Sequence, residues 1–386
     1  MMKRDLKSAF RHIPISNENL KFMLFEWQGE IYCDLFLPFG LRTAPFIFNL
    51  FAEALHWILQ QKYSWTLSHY LDDFVVFFPP DSTTNLLQAN RRFKHICNYL
   101  GFEVAEDKNE EGTTINYLGL IIDTIKMEAR LPMNKLERVL KEVKNILKPK
   151  KRVSQTELQS LLGFLTFCTR VFPIGRPFLR HVFNMLRRSR NSQRLTAAAR
   201  RDLEWWKTLL PVWSGIAAID PPRKEFIIET DASGIKGIGG YWPSEGKMFS
   251  TRMPRRHRKK HINYKEMHAV LHAIAEWGNE WKGQSLTVKC DNFAVVQGIN
   301  KKTIRGGAIQ PLQQLLLLAG INDIVVRACW ISTKDNAVAD ALSRFDMDRV
   351  ANLLGVQRQF LPRSRQTSNI NQKISRLMRP STSSIA

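Results

Sequence analysis

The order of apolar and polar positions divides the chain into strand-like and helix-like stretches. Phe22 to Trp27 and Ile31 to Leu37 are β-prone, with Gln28-Gly29-Glu30 between them as a hairpin turn. Leu37-Pro38-Phe39-Gly40-Leu41 breaks the second segment and opens a helix over Ala44 to Gln61, with Phe48, Phe51, Ala52, Leu55 and Leu59 on one stripe. Another helix is predicted from Thr84 to Leu100, ended by Gly101. Tyr117-Leu118-Gly119-Leu120-Ile121-Ile122 reads as a further strand. This alternation predicts an α+β sheet domain ending near residue 130.

The pattern then turns helical. Leu136, Val139, Leu140, Val143, Ile146 and Leu147 trace one apolar face, and Ser154-Gln155-Thr156-Glu157 is a capping-box signature opening a helix with Leu158, Leu161, Leu162 and Leu165 inward. A bundle is expected over residues 131–222, closing in a linker from Pro211 to Arg223.

A third pattern follows. Glu225 to Gly234 is a strand running into Asp231 and a Gly-rich turn, and Gly237, Gly239 and Gly240 fall in the next strand, where small residues permit a close approach. A helix begins near Tyr264 and contains Glu266, while Leu286 to Asp291 repeats the strand-then-acid order. Ile324 to Ile331 is a strand and Asn336 to Arg344 a short helix. An α/β domain is expected over 223–346, and a polar, disordered tail over 347–386.

Charge changes this picture more than overall composition does. The 386 residues carry 57 Lys and Arg against 35 Asp and Glu, a net +22, which points to a polyanionic partner. From Lys135 to Lys207 there are 18 basic and 5 acidic residues, a surplus of 13 that supplies most of the excess and fits phosphate neutralisation. The five cysteines are scattered, with no Cys-x-x-Cys pair, which argues against a disulfide framework or structural zinc and for a reducing, intracellular setting. The longest aliphatic cluster, Leu315 to Leu318, is far short of a membrane span, so no membrane partner is expected.

Two groups of acids stand out. Tyr70-Leu71-Asp72-Asp73 precedes the apolar run Phe74 to Phe78, placing adjacent carboxylates at the mouth of a strand. Their repulsion is relieved by a divalent cation, although Asp is also an ordinary turn residue. Asp231, Glu266, Asp291 and Asp340 fall at element boundaries of the last domain. Carboxylate oxygens are the hard ligands Mg²⁺ prefers, and two ions about 4 Å apart can clamp an in-line phosphoryl displacement.

The ordered blocks Asp5-Leu6-Lys7-Ser8-Ala9-Phe10, Leu37-Pro38-Phe39-Gly40-Leu41-Arg42-Thr43-Ala44-Pro45, Tyr70-Leu71-Asp72-Asp73 and Tyr117-Leu118-Gly119 resemble the palm of a reverse transcriptase. The stretch from Glu225 to Arg344, ending in Ala-Asp-Ala-Leu-Ser-Arg, is similar to the RNase H domain that follows it. Glu157 to Leu165 and Gly175 to Arg180 look most like DIRS-type retroelements, with gypsy-type LTR elements as close relatives.

The resemblance implies an α+β palm with an antiparallel sheet and helices (residues 1–130), a basic helical thumb and connection (131–222) and an α/β RNase H-like domain with a mixed sheet (223–346). It implies an RNA-directed DNA polymerase with ribonuclease H activity, using Mg²⁺ with Mn²⁺ as a substitute. The partners would be an RNA template, a DNA primer, an RNA–DNA hybrid, dNTPs and other element-encoded proteins. Asp5, Asp72 and Asp73 would hold metal in one site, and Asp231, Glu266, Asp291 and Asp340 in the other. Phe10 would gate the ribose 2′-hydroxyl, Phe39, Gly40 and Lys108 would lie at the nucleotide, and Tyr117, Leu118 and Gly119 would steady the primer.

Two departures from the family pattern are visible. Only four residues precede Asp5, so the fingers are missing and Asp5 is expected at a frayed terminus. Trp330 to Asp335 lacks the histidine many RNase H enzymes place there. Two alternatives stay open at this point: a ribonuclease H alone, with the truncated palm as a binding platform, or a non-catalytic nucleic-acid-binding relic.

Overall fold

The computed structural model describes residues 1–79, 85–188, 192–211, 213, 215–219 and 222–361. The chain divides into two compact units, one from Met1–Met133 and Ile216–Asp220, the other from Asn134–Gly215 and from Pro221 onward.

In the first unit, β1 (Met2–Asp5), the hairpin β2 (Leu24–Trp27) and β3 (Glu30–Cys33), α1 (Ala44–Tyr63), β4 (Thr66–Tyr70), β5 (Asp73–Phe77), α2 (Leu86–Tyr99), β6 (Glu110–Glu111), β7 (Thr114–Tyr117), β8 (Leu120–Asp123) and β9 (Glu128–Arg130) follow one another. One antiparallel sheet has the order β4-β5-β1-β6, so β1 lies inside it with a partner on each side. This overturns the expected fraying at Asp5: Met2 is fully buried, Asp5 is 7% exposed, and the Met1 amino group donates to the Gly112 carbonyl at 2.8 Å. Pairing on both edges fixes a strand wherever it falls in the chain.

The helical stripe of α1 largely follows its 3.6-residue period. Phe48, Ala52, Leu55 and Leu59 pack against Phe74, Val76 and Phe93, but Phe51 is 44% exposed because it lies off the centre of that face. The expected strand over Tyr117 to Ile122 is a hairpin instead. Tyr117 pairs with Leu120, and Leu118 (φ 49°) and Gly119 (φ 78°) form the turn, with the positive φ values that tight hairpin turns require. The start of the helix expected at Thr84 lies outside the described residues; Asn85 caps α2 by accepting from the Leu87 amide.

The second unit begins with α3 (Met133–Ile146), followed by β10 (Arg152–Val153), α4 (Gln155–Cys168), α5 (Arg180–Arg188), β11 (Gln193–Arg194) and α6 (Ala197–Leu209). The capping box forms in full at Ser154, and Leu158, Leu161, Leu162 and Leu165 are buried. Part of the expected linker is ordered differently: β12 (Ile216–Ala218) pairs antiparallel with β9, joining the first unit's sheet β12-β9-β8-β7.

The rest of the unit comprises β13 (Glu225–Ala232), β14 (Gly237–Trp242), β15 (Lys247–Arg252), α7 (Ile262–Trp277), β16 (Ser285–Cys290), α8 (Phe293–Lys301), α9 (Ile309–Ile321), β17 (Val325–Trp330), α10 (Ala337–Ser343) and α11 (Met347–Leu354). The sheet order is β15-β14-β13-β16-β17, antiparallel through β15, β14 and β13 and parallel through β13, β16 and β17. The expected mixed sheet is therefore present. The close approach foreseen for the glycines is made by a backbone: a Cβ on Gly239 would lie 2.5 Å from the Ala339 carbonyl oxygen of α10. The tail boundary at 347 is corrected, because α11 buries Val350 and Ala351 and is capped by Asp346, so apolar burial extends the fold. Residues 362–386 lie outside the described residues.

Candidate functional site

The first acid group forms at the hairpin between β4 and β5. Tyr70 pairs with Asp73 across a two-residue turn in which Leu71 has φ 55°, and β1 brings Asp5 opposite Asp73 in register. Strand alternation alone would send Asp72 and Asp73 to opposite faces, and the turn removes that constraint. Burial, reinforced by the charge of Asp5, holds both Asp72 and Asp73 above the usual carboxylate range. Three acids are thus held together at a cost that a cation offsets.

Cations of the chain already reach this group. Lys108 Nζ donates to Asp5 Oδ1 at 3.3 Å, a bond that raises the lysine's own pKa, and Lys3 Nζ lies 4.0 Å from Asp73 Oδ1. Phe10 follows β1 in a short 3₁₀ turn, with its ring centroid 5.5 Å from Phe39 and 5.8 Å from Phe48. Phe39 is 70% exposed, and Gly40 beside it has φ 92°, which only glycine adopts without strain. Tyr117 is buried against Val75, and burial, then the Asp73 charge, raises its phenol. Sequence reasoning missed Arg4, a fully buried residue of β1, whose Nε donates to Asn90 Oδ1 at 2.8 Å and whose guanidinium pairs with Glu111.

The second acid group is more deeply set. Asp231 lies near the end of β13, Glu266 one turn into α7, Asp291 just past β16 and Asp340 on α10. Burial first, then the charges of Asp291 and Asp340, push Asp231 up to about 6 against the pull of a Ser343 hydrogen bond. Burial and the other three acids push Glu266 well above the usual range, and its Oε2 is buried with no hydrogen-bond partner. All four predicted acids therefore act on one another.

Their supports were not legible as a pattern. Asp340 accepts from Arg344 Nε at 2.7 Å and from Arg349 Nη1 at 2.9 Å, one guanidinium on each oxygen. Fully buried Asn336 donates to the Thr230 carbonyl at 3.0 Å, tying the start of α10 to β13. In the loop without a histidine, Thr333 Oγ1 donates to Asp291 Oδ2 at 2.8 Å and Trp330 Nε1 to the Asp291 carbonyl at 2.9 Å. Only Arg344, four residues after Asp340, had a helical-spacing signal that could have flagged it.

Residues 1–122 match the family described as reverse transcriptase (RNA-dependent DNA polymerase). A polyprotein of Cassava vein mosaic virus is 26% identical over 366 residues, covering 89% of this chain and 52% of the relative. Polyprotein P3 of Commelina yellow mottle virus is 23% identical, with 89% and 18% covered. The retrovirus-related Pol polyprotein from transposon gypsy of Drosophila melanogaster is 24% identical, with 90% and 33% covered. The chain thus spans about half the length of the first relative and less of the others. A solved foamy viral protease-reverse transcriptase in complex with RNA/DNA hybrid is 18% identical with a TM-score of 0.45, covering 85% of this chain and 43% of its own.

Proposed function

We propose, from a chain that carries a reverse transcriptase domain over residues 1–122 and whose homologues are Pol polyproteins of retrotransposons and plant viruses, that it works as a retroelement RNA-directed DNA polymerase with ribonuclease H activity. The observation that carries this reading is the convergence of two separate carboxylate sets, each assembled from strand ends and neighbouring elements. The DIRS-type reading rests on Glu157 to Leu165 and Gly175 to Arg180 alone.

Both acid groups fit a divalent ion. Asp5, Asp72 and Asp73 are oxygen donors held against their own repulsion, and Glu266 presents a buried oxygen without a partner. Mg²⁺, with Mn²⁺ as a substitute, would supply charge stabilisation at phosphate oxygens. Asp5, Asp72 and Asp73 would hold it in the first unit, where a primer 3′ oxygen meets the α-phosphate of an incoming dNTP. Lys108 balances the charge of Asp5 and can follow the leaving pyrophosphate. Phe10, propped by Phe39 and Phe48, excludes a 2′-hydroxyl by bulk, and Gly40 leaves room beside the nucleotide. The turn of Tyr117, Leu118 and Gly119 steadies the primer end.

In the second unit Asp231, Glu266, Asp291 and Asp340 would hold the ion, with Thr333 orienting Asp291 and the two arginines orienting Asp340. The substrate is the RNA strand of a hybrid, told from DNA by its 2′-hydroxyls. The basic helices that separate the two acid groups in sequence grip phosphates without reading bases.

Primer extension and hybrid cleavage, run on the same preparation, test the reading. Asp72→Asn is expected to abolish Mg²⁺-dependent incorporation and spare cleavage of a labelled hybrid, and Asp231→Asn to do the reverse. Absence of incorporation by the native chain, alone and with a fingers segment supplied, would sink the polymerase half. Cleavage that survives Asp231→Asn would sink the other.

A further inference from the structure

We propose that the second acid group also takes a soft divalent cation, Zn²⁺ or Cd²⁺, through the thiolate of Cys290 together with Glu266 and Asp291, in a mode that excludes Mg²⁺ and shuts the site. The binding half stands on the geometry alone, and the inhibitory half rests on the ribonuclease reading.

Cys290 is the last residue of β16, immediately before Asp291, and its side chain is fully buried. Its Sγ, a carboxylate oxygen of Glu266 and one of Asp291 all lie within 4.8 Å of one another. A cluster of acids would not by itself mark a ligand. Here, however, Glu266 Oε2 is a buried oxygen with no partner on a residue only 4% exposed. The thiol is weakly engaged, accepting from the Asn292 amide at 3.4 Å. Both oxygens of Asp340 are held by arginines, and Oδ2 of Asp291 accepts from Thr333.

The donor set decides which ion gains. Mg²⁺ demands near-octahedral oxygen and has no use for sulfur, whereas a thiolate favours zinc or cadmium, which accept four ligands. Zn–S and Zn–O bonds of about 2.3 and 2.1 Å at tetrahedral angles put sulfur and oxygen about 3.6 Å apart, so the three side chains need close by only about 1 Å. Binding displaces to buffer the thiol proton and any proton carried by Glu266. A soft ion seated on Cys290 draws Glu266 and Asp291 together and denies both to a hard ion.

The full chain, freed of metal, is titrated with Cd²⁺ while the ultraviolet thiolate-to-cadmium charge-transfer band is followed. One band saturating at one equivalent is expected, absent in Cys290→Ala and retained in Cys329→Ala. A band of undiminished intensity in Cys290→Ala overturns the site. Zn K-edge absorption of the native chain needs no variant: one sulfur at about 2.3 Å with oxygens at about 2.0–2.2 Å supports the site, and a shell without sulfur overturns it. In Mg²⁺, hybrid cleavage by the native chain should be at least tenfold more sensitive to added Zn²⁺ than cleavage by Cys290→Ala, and equal sensitivity overturns the inhibitory half. If the native chain cleaves no hybrid, the ribonuclease reading fails and the inhibitory half with it, while band and absorption edge still decide the binding site.

Discussion

Asp231 shows what a single buried acid costs. Its carboxyl titrates at about 6 in the fold against an ordinary 3.8, so the folded chain binds the proton more tightly than the unfolded one. The penalty is absent below the unfolded pKa, accumulates as pH rises between the two values, and above them reaches about 3 kcal/mol. Asp231→Asn is therefore expected to raise the melting temperature of the metal-free chain at pH 8, with a gain that shrinks to nothing toward pH 4, measured by thermal melts in chelator. A gain independent of pH would argue that the carboxyl is not the strained group. Lys108 makes the opposite case: it is 58% exposed on its side chain, so its bond to Asp5 contributes little to stability. Lys108→Ala should leave melting unchanged and raise the KM for dNTP in primer extension.

Elements position these residues by how closely they can pack. Gly239 lets α10 sit directly on β14, and a Cβ there would meet the Ala339 carbonyl oxygen at 2.5 Å and Leu342 Cβ at 2.6 Å. Backbone cannot rotate away as a side chain can, so Gly239→Ala pushes the helix that carries Asp340. The expected cost is about 1–3 kcal/mol in urea unfolding, with hybrid cleavage falling by more than the folded fraction explains. Ser154→Ala provides the contrast. It removes the cap of α4, where the Glu157 amide donates to Ser154 Oγ at 3.2 Å, and should cost about 1 kcal/mol without changing the relative rates of either activity.

For the whole molecule the governing quantity is charge. The net +22 and the single-signed stretch from Lys135 to Lys207 favour phosphate backbones through counterion release. Binding of a hybrid duplex should weaken steeply with salt. Replacing Lys141 and Lys144 of α3 and Lys148 just past its end, which line one groove, should lower the log–log slope by about 0.9 for each phosphate that is no longer neutralised. An unchanged slope would place the duplex on another face. Mg²⁺ binding only the folded chain should also raise the melting temperature, by the equivalent of about 2.7 kcal/mol at a hundredfold excess over Kd.

The sequence by itself marked where the long helices fall and singled out seven acids as candidate ligands, because hydrophobic period and local acid-then-strand motifs are written in neighbouring residues. It carried the capping box at Ser154 and the stripe of α1 for the same reason. It did not carry the partners that no local pattern announces: Arg349 on Asp340, Thr333 on Asp291, Arg4 on Glu111, or Cys290 beside Glu266. Nor could position in the chain reveal that Asp5, the fifth residue, lies in an interior strand paired on both edges. Those facts depend on which segments pair and pack, and only the tertiary structure, by closing β1 against β5 and seating α10 on Gly239, decided them.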